Sequence, residues 1–409
     1  AALTLLAAAC SSTADTTTST TAAPSTTVSA VTTAPTTTMP PGDPVDRLLI
    51  IDPTGNIITT DRSGGAVEKI TDDAADGAGY FQPTWSPDAG SVVVSRFSNG
   101  AFSLVNFDVA AGTQSSVSTV NNAFYVYWSP QGDRVGYLST GPQGMGLDIA
   151  EFGEEPTSEP VELGAPFYFS WSPDGEELAA LIGQQRLELF DTTGGDPAAI
   201  ANPGPFLNPA WTDAGLFYVT EVAGIDALVV GDPGSDVDVL ARANGAATFT
   251  VPASGDRVAV QVIGDSNGIS ATYQETPLLP LNQLVVVERS TGAVEVASPT
   301  PALAFFWDGA GEQLLVLDGN EDTGLFRWSV WADGELRSLT EFLPARVFVE
   351  TYLPFFSQYA LSTTMWSPDG MAFAFAGNIA GVGGIYVQNV AGGDPVKVAD
   401  GGWVTWSPR

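Results

Sequence analysis

The sequence of 409 residues contains no histidine and only one cysteine, Cys10. Without histidine the chain cannot form a His-dependent catalytic triad, a His-ligated zinc site or the common proton shuttle of neutral pH. Lysine and arginine are also scarce, 14 residues against 47 aspartates and glutamates. The resulting net charge of −33 argues against nucleic acid or an anionic bilayer as a direct partner. We also expect no cofactor.

What the sequence does contain is a recurring turn. Trp-Ser-Pro-Asp-Gly occurs at Trp171 and again at Trp366, each time between two short apolar runs. Ser-Pro-Asp-Gly fits a type I turn, because Ser accepts at the first position, Pro fixes φ at the second, Asp suits the third and Gly closes the turn. The flanking runs are too short for helices and rich in aromatic and β-branched residues, so each motif predicts a hairpin. We interpret the aspartates of these turns as structural.

Related turns recur through the chain. They follow Trp85, Trp128, Trp171, Trp211, Val251, Trp307, Trp366 and Trp406. Successive turns are 43, 43, 40, 40, 56, 59 and 40 residues apart, and a regular spacing of this size marks a repeat architecture. Each interval holds four strand-like runs, the content of one blade of a β-propeller. The sequence therefore predicts an all-β propeller of eight blades, with seven as the alternative because the Val251 motif is the weakest. The tryptophans are expected to fill space between blades.

The two ends of the repeat region complement each other. Residues 47–71 (RLLIIDPTGNIITTDRSGGAVEKIT) supply the second, third and fourth strands of a blade that lacks its first strand. Residues 403–406, at the other end, supply that first strand. A composite blade of this kind closes the ring and removes exposed sheet edges.

These motifs resemble the repeats of the TolB-type, WD40-like β-propeller lipoprotein family. The resemblance rests on WSPDG with its following apolar strand, then IYVQNVAGG (385–393) and PVKVAD (395–400), and it covers residues 47–409 of a domain that we place at 46–409. It implies a propeller domain. It is unspecific for function, since such propellers serve as docking platforms, as accessory domains of peptidases and in many secreted proteins.

The first 45 residues differ in composition from the rest. ALTLLAAAC resembles the lipobox at which bacterial lipoprotein precursors are cut and acylated, so we interpret residues 1–10 as a remnant of a signal peptide and Cys10 as the lipidation site. Residues 11–45 are rich in Ser, Thr and Pro and cannot bury enough apolar surface to fold, which predicts a disordered tether. The domain would then lie outside the cytoplasm, held to the membrane or envelope only through the lipid.

Two short motifs suggest chemistry but fit loops better. GDSNG (264–268) matches the nucleophile elbow around Ser266, yet it follows a strand and leads into a hairpin loop rather than a helix. DGNEDTG (318–324) alternates acidic and amide residues like a calcium loop, but Gly and the final Glu are not where such a loop needs them. We expect no metal site there.

Two long intervals predict a binding face. The excess residues, 265–282 and 342–362, fall between the second and third strands of one blade and between the fourth strand and the next blade. Both connections emerge on the same face of the disc, so the insertions should be neighbours. They carry Tyr273, Leu278, Leu279, Phe348, Tyr352, Phe355, Phe356 and Tyr359, an unusual aromatic load for loops. The alternative is that these rings pack on each other or cover the central funnel.

Two functions follow from these features. The first is an envelope-anchored, non-enzymatic scaffold that binds another envelope protein, a peptide or a glycan. The second is a hydrolase or lyase that uses carboxylates or a bound cation in the central funnel. The absence of histidine and of an appended catalytic domain favours the scaffold.

Overall fold

A computed structural model of the protein describes residues 46–142, 144–264, 276–320 and 322–408. Within these ranges the chain is almost entirely strand and turn. The strands form where short runs of valine, leucine, isoleucine and aromatic residues lie between turn residues, as in Leu284–Glu288 (LVVVE). Cys10, the predicted tether, Ser266 and Tyr273 lie outside the described residues.

Five consecutive sheets each contain four antiparallel strands in sequence order. They follow three strands near the start of the chain, β1 (Arg47–Ile51), β2 (Ile57–Asp61) and β3 (Glu68–Lys69). Sheet 1 contains β4 (Gly79–Trp85), β5 (Ser91–Ser98), β6 (Ala101–Asp108) and β7 (Thr113–Thr119). Sheet 2 contains β8 (Ala123–Trp128), β9 (Arg134–Gly141), β10 (Gly144–Glu151) and β11 (Thr157–Glu162). Sheet 3 contains β12 (Pro166–Trp171), β13 (Glu177–Ile182), β14 (Arg186–Asp191) and β15 (Ala198–Ala201).

The remaining sheets complete the domain. Sheet 4 contains β16 (Ala210–Thr212), β17 (Gly215–Val222), β18 (Ile225–Gly231) and β19 (Asp238–Arg242). Sheet 5 contains β20 (Ala246–Thr250), β21 (Arg257–Ile263), β22 (Leu284–Glu288) and β23 (Val294–Ser298). A seven-stranded double sheet joins β24 (Ala304–Trp307), β25 (Leu314–Asn320), β26 (Leu325–Ala332) and β27 (Glu335–Pro344) to β28 (Ala372–Ile379), β29 (Val382–Asn389) and β30 (Val396–Ala399). The double sheet holds the strands of two predicted blades.

The last sheet, here called the closing sheet, combines both ends of the domain. Its order is β3-β2-β1-β31, where β31 is Trp403–Trp406. Leu48 pairs with Trp406 and Ile51 with Trp403, in antiparallel register. The predicted composite sheet is therefore confirmed, and it removes the free edge that β1 would otherwise expose.

Because neighbouring strands are antiparallel, the connections of each sheet lie at two ends. The first-to-second and third-to-fourth connections form what we call the turn face, which includes the WSPDG turns. The second-to-third connections and those leading to the next sheet form the insertion face. Both long insertions fall on the insertion face, between β21 and β22 and between β27 and β28.

The WSPDG motifs form the predicted turns. In the motif after Trp171, the Gly175 amide donates to the Ser172 carbonyl at 2.9 Å, which closes the turn. The Ser172 hydroxyl donates to Asp174 Oδ1 at 2.6 Å, and the Glu176 amide donates to the same oxygen at 3.0 Å. The same pattern recurs around Asp88 and Asp369. Asp174 therefore has a structural role, as its sequence context predicts.

The motif tryptophans connect successive sheets. In four of them the indole Nε1 donates to a backbone carbonyl of the preceding sheet, at the residue just before that sheet's own motif position. The pairs are Trp128 with Thr84, Trp171 with Tyr127, Trp307 with Thr250 and Trp366 with Phe306, at 3.0–3.3 Å. These rings fill the space between sheets as predicted, and each one also satisfies a buried carbonyl.

The insertion after β27 interrupts a first strand. β29 pairs with one edge of β28 along its full length. The residues that pair with the other edge of β28 therefore occupy the position of the first strand of this unit. The pairs on that edge are Leu343 with Asn378, Pro344 with Gly377, and Trp366 with Phe373. Two separate pieces of chain thus share one strand position, and the residues between them leave the sheet.

Candidate binding site at the insertion face

The residues that leave the sheet form a helical segment, residues 346–364. It contains a π-helical turn (Phe348–Tyr352), a 3-10 turn (Leu353–Phe355) and a short helix, α1 (Phe356–Ser362). Thr363 is extended, and both its amide and its hydroxyl donate to the Tyr359 carbonyl at 2.9 Å, which ends the helix. The segment packs across the first strands of the sheets that surround the central channel.

Most of the predicted aromatic residues are buried there instead of exposed. Tyr352, Phe356 and Tyr359 are only 6–7% exposed, and Phe348 and Phe355 are half-buried. The rings of Tyr359 and Tyr352 are 4.4 Å apart, and Tyr352 lies 5.4 Å from the ring of Trp403 in the closing sheet. We expected these five side chains to be exposed to a partner, and their burial does not match that expectation. It matches the alternative, in which they cover the central funnel.

The physical reason is that the ring of first strands offers apolar surface at the channel mouth. Phe356 packs against Phe305 and Phe306 of β24, with ring centroids 4.9 and 5.8 Å away. Phe355 packs against Phe167 of β12 at 5.1 Å. Burying each large ring is worth about 1.5 to 3 kcal/mol relative to leaving it in water, so the segment folds inward.

Hydrogen bonds align the segment with sheets 2 and 3. The Tyr359 hydroxyl donates to the Phe124 carbonyl of β8 at 3.1 Å, and Gln358 Nε2 donates to the Phe169 carbonyl of β12 at 3.4 Å. In the other direction, the Tyr125 hydroxyl donates to the Gln358 carbonyl at 2.9 Å. Polar side chains of the segment thus satisfy backbone groups on the inner edges of the first strands.

Burial keeps the tyrosines of the channel mouth neutral. It raises the pKa of Tyr352 and Tyr125 well above 10, and it raises the pKa of Tyr359 as well. The hydroxyl groups of Tyr125 and Tyr359 therefore stay protonated and keep the donor roles described above, even at pH values where an exposed tyrosine would ionise.

A small apolar cavity of about 40 Å³ lies beside the segment. Its walls come from the segment, from β24 and β28, and from the closing sheet at Gly402, Trp403 and Val404. None of the residues that line it is charged. The cavity has room for a few water molecules only, so the helical segment leaves little free space on this side of the channel mouth.

Several exposed apolar side chains lie at connections on the insertion face, one or two from each of several sheets. We call them the apolar rim: Phe81, Val120, Leu163, Ile263, Leu278, Leu303, Leu343 and Val382. Each lies at or near a strand end that faces this side, and Val120, between β7 and β8, is the most exposed at 73%. Of the predicted leucines in the first insertion, Leu278 belongs to the rim, whereas Leu279 is buried. Sequence reasoning missed the other rim residues because each is a single residue in an ordinary connection.

The turn face, in contrast, is rich in acidic side chains. Many carboxylates lie at its connections, including Asp88, Asp108, Asp133, Asp174, Asp191, Asp213, Asp232, Asp256, Asp308, Asp333 and Asp369. Exposed large apolar residues are fewer on this face, with Val67, Leu336, Met371 and Val396 near its connections. The two faces thus differ in polarity.

The calcium-like loop is a plain hairpin. Asn320 ends β25, and its Oδ1 accepts the amides of Asp322 and Thr323 at 3.0 and 3.3 Å. Asp318 forms an ion pair with Arg327 at 3.0 Å. Across the described ranges there is no group of three or more His, Cys, Asp or Glu side chains placed to hold a metal ion. Nor does this part of the chain include a helix long and apolar enough to cross a bilayer.

Comparison with solved structures relates this arrangement to known folds. A eukaryotic initiation factor aligns with a TM-score of 0.55 at 11% identity, over 89% of this chain and 98% of that one. An oligogalacturonate lyase in complex with manganese aligns with a TM-score of 0.50 at 13% identity, over 83% and 95%. The protein is a β-propeller. The propeller neighbours also include TolB from Acinetobacter baumannii, with a TM-score of 0.39 at 12% identity over 82% and 70%.

At these identities the likeness concerns the propeller fold alone. Both enzymes and the TolB protein occur among the neighbours. No protein-family model matches the chain, and no curated protein matches it in sequence.

Proposed function

We propose that this propeller is a non-catalytic scaffold outside the cytoplasm, tethered through Cys10, that binds another envelope protein with its insertion face. The apolar rim carries this proposal. Exposed aliphatic side chains that collect on one face of a rigid scaffold are typical of a protein-docking surface. The net charge of −33 keeps the rest of the molecule soluble and leaves this face as the preferred place for contact.

The position of Asp46 also supports the insertion face as the side that meets a partner. Asp46 lies on the turn face, where its carboxylate accepts the Trp406 indole N–H at 2.9 Å and pairs with Arg62 at 2.6 Å. The chain that precedes β1 therefore leaves the domain from the turn face. A tether attached there would leave the apolar rim on the opposite side of the domain from the attachment point, where it is free to meet partners.

Site-specific photo-crosslinking in intact cells tests the proposal. A crosslinking residue at position 120 or 163, on the rim, should capture the same protein, identified by mass spectrometry. Positions 67 and 396, equally apolar but on the turn face, serve as matched controls and should not capture it. The captured protein should then bind the purified full chain, and Val120→Asp with Leu163→Asp should weaken that binding at least tenfold. Equal capture from both faces, or unchanged binding of the double variant, would contradict the proposal.

A further inference from the structure

We propose that the channel mouth is a peptide-binding site, which the helical segment occupies as an internal ligand. The peptide class it accepts is a short helix in which two aromatic side chains flank a side-chain amide, as Phe356, Gln358 and Tyr359 do in the segment. This site uses none of the rim residues, so it goes beyond the docking face proposed above.

The first argument is that both ends of the segment are fixed at nearly the same place. The Ala345 amide donates to the Ala376 carbonyl at 3.2 Å, and the Ala374 amide donates to the Met365 carbonyl at 2.8 Å. These two attachments flank a single residue of β28, Phe375. Thr364, beside the second attachment, is also held to the closing sheet, because the Trp406 amide donates to its carbonyl at 2.8 Å. The 18 residues 346–363 thus form a closed loop whose two ends stay paired, so this loop can leave the channel without breaking either sheet.

The second argument is that the segment is held like a ligand. Its contacts with sheets 2 and 3 are made by the side chains and carbonyls of α1 against backbone carbonyls and tyrosine hydroxyls, as given above for Gln358 and Tyr359. Phe356 fills a space between Phe305 and Phe306. A separate peptide with the same side chains could make every one of these contacts, because none requires chain continuity.

The third argument is that the closed arrangement leaves polar atoms unsatisfied. Asn208 Oδ1, Ser357 Oγ and Gln358 Oε1 are buried without a hydrogen-bond partner, in side chains that are at most 2% exposed. The amide nitrogens are already committed, Asn208 Nδ2 to the Ser357 carbonyl at 3.2 Å and Gln358 Nε2 to the Phe169 carbonyl. Exchanging the oxygen and nitrogen of either amide would therefore leave the Ser357 or the Phe169 carbonyl without its donor.

Such unsatisfied atoms oppose the burial of the aromatic rings. Ser357 and Gln358 belong to the segment, whereas Asn208 belongs to the propeller, so a peptide that offers a donor to Asn208 Oδ1 gains a hydrogen bond that the segment does not make. The closed form is thus one that a better-fitting peptide can displace.

Complementation with a peptide tests the site directly. In the variant, residues 346–364 are replaced by one alanine, which continues the strand between Ala345 and Met365. A synthetic peptide of residues 346–364 (RVFVETYLPFFSQYALSTT) should bind this variant with 1:1 stoichiometry by calorimetry, and at least 100-fold more weakly to the intact protein. The same peptide with Phe356→Ala and Tyr359→Ala should not bind. Failure of the peptide to bind the folded variant, or equal affinity for the intact protein, would overturn the proposal.

Hydrogen exchange of the intact protein provides a second test if the variant does not fold. The Thr363 amide, bonded to Tyr359, should exchange at least 100-fold faster than the Ala374 amide, bonded to Met365. Equal rates would show that the segment opens only with the whole domain, and would overturn the proposal. Substitutions in the apolar rim should leave peptide binding unchanged, so this inference and the docking face can fail separately.

Discussion

The indole nitrogen of Trp171 donates to the backbone carbonyl of Tyr127 at 3.1 Å, across the boundary between sheets 3 and 2. Trp85 occupies the corresponding position in sheet 1, but its buried Nε1 has no hydrogen-bond partner among the described residues. The two tryptophans are otherwise alike, since both end a first strand and both are at most 5% exposed. They therefore separate the contribution of the hydrogen bond from that of the ring.

The first prediction compares the two positions. Trp171→Phe and Trp85→Phe remove similar ring volume, but only Trp171→Phe leaves a buried carbonyl without its donor. We expect Trp171→Phe to cost about 1 to 2 kcal/mol more in the free energy of unfolding than Trp85→Phe. Chemical denaturation of both variants measures this difference, and equal losses would show that the inter-sheet hydrogen bonds contribute nothing.

The second prediction concerns the closing sheet. Deleting residues 47–60 removes β1 and most of β2, so β31 loses its partner and the ring loses its closure. We expect this variant to lose cooperative thermal unfolding, whereas deletion of residues 11–40, which removes no described strand, should leave the melting temperature unchanged. Equal melting temperatures for the two deletions would contradict the role of the closing sheet.

The third prediction follows from the burial of the helical segment. Tyr352→Ala with Phe356→Ala should strongly destabilise the protein, because truncating a buried aromatic residue costs about 3 to 5 kcal/mol. The matched control, Val120→Ala with Leu163→Ala on the exposed rim, should change the free energy of unfolding by about 0.5 kcal/mol or less per site. A double variant of the segment that melts like the parent would mean that the rings do not pack in the channel mouth.

The fourth prediction concerns pH. Asp148 of β10 pairs directly with Tyr137 of β9. Burial raises the pKa of Asp148 from 3.8 to about 6. The folded state then binds more protons than the unfolded state between about pH 4 and 6, so this residue lowers stability as the pH rises through that window.

Asp148→Asn removes the charge, so it should increase the free energy of unfolding at pH 8 by up to about 2 to 3 kcal/mol and have little effect at pH 4. Asp174→Asn is the control of opposite sign, because the Ser172 hydroxyl and the Glu176 amide lower the pKa of Asp174. That variant should lose stability at neutral pH. Urea denaturation at both pH values measures the differences, and a pH-independent effect at Asp148 would refute the shift.

The fifth prediction tests the anchor. Cys10→Ser in the precursor should move the protein from the membrane to the soluble fraction, because an acylated cysteine would supply the hydrophobic attachment. Cell fractionation and mass spectrometry of the N-terminal peptide measure this. Membrane retention of the variant, with no lipid mass on Cys10 of the parent, would exclude lipidation.

The fold could be predicted from the sequence because its signals are local and repeated. A turn such as Ser172–Pro173–Asp174–Gly175 specifies its own hydrogen bonds within a few residues, and its recurrence at a regular spacing reveals the four-stranded units. The closing sheet was also predictable, since the unpaired strands of residues 47–71 and Trp403–Trp406 complement each other. Both expectations are confirmed by the strand order.

The candidate site could not be predicted in the same way. Whether an aromatic insertion folds inward depends on the channel mouth, and the apolar surface there exists only after several sheets have assembled. The sequence locates the insertion correctly, but nothing near Phe356 indicates that Phe305, some fifty residues earlier, will receive its ring. The split strand around Ala345 and Met365 likewise depends on the register of β28.

The position of β1 has a mechanical consequence. Any force transmitted through the chain before residue 46 acts first on β1, the strand that lies between β31 and β2 and closes the ring. Leu48, Leu49 and Ile50 of this strand are completely buried, and Arg47 adds a hydrogen bond to Thr59 at 2.7 Å and an ion pair with Glu68 at 3.1 Å. Tension on the N-terminal chain is thus resisted by both neighbouring strands at once, and a pull strong enough to extract β1 would open the ring at its seam.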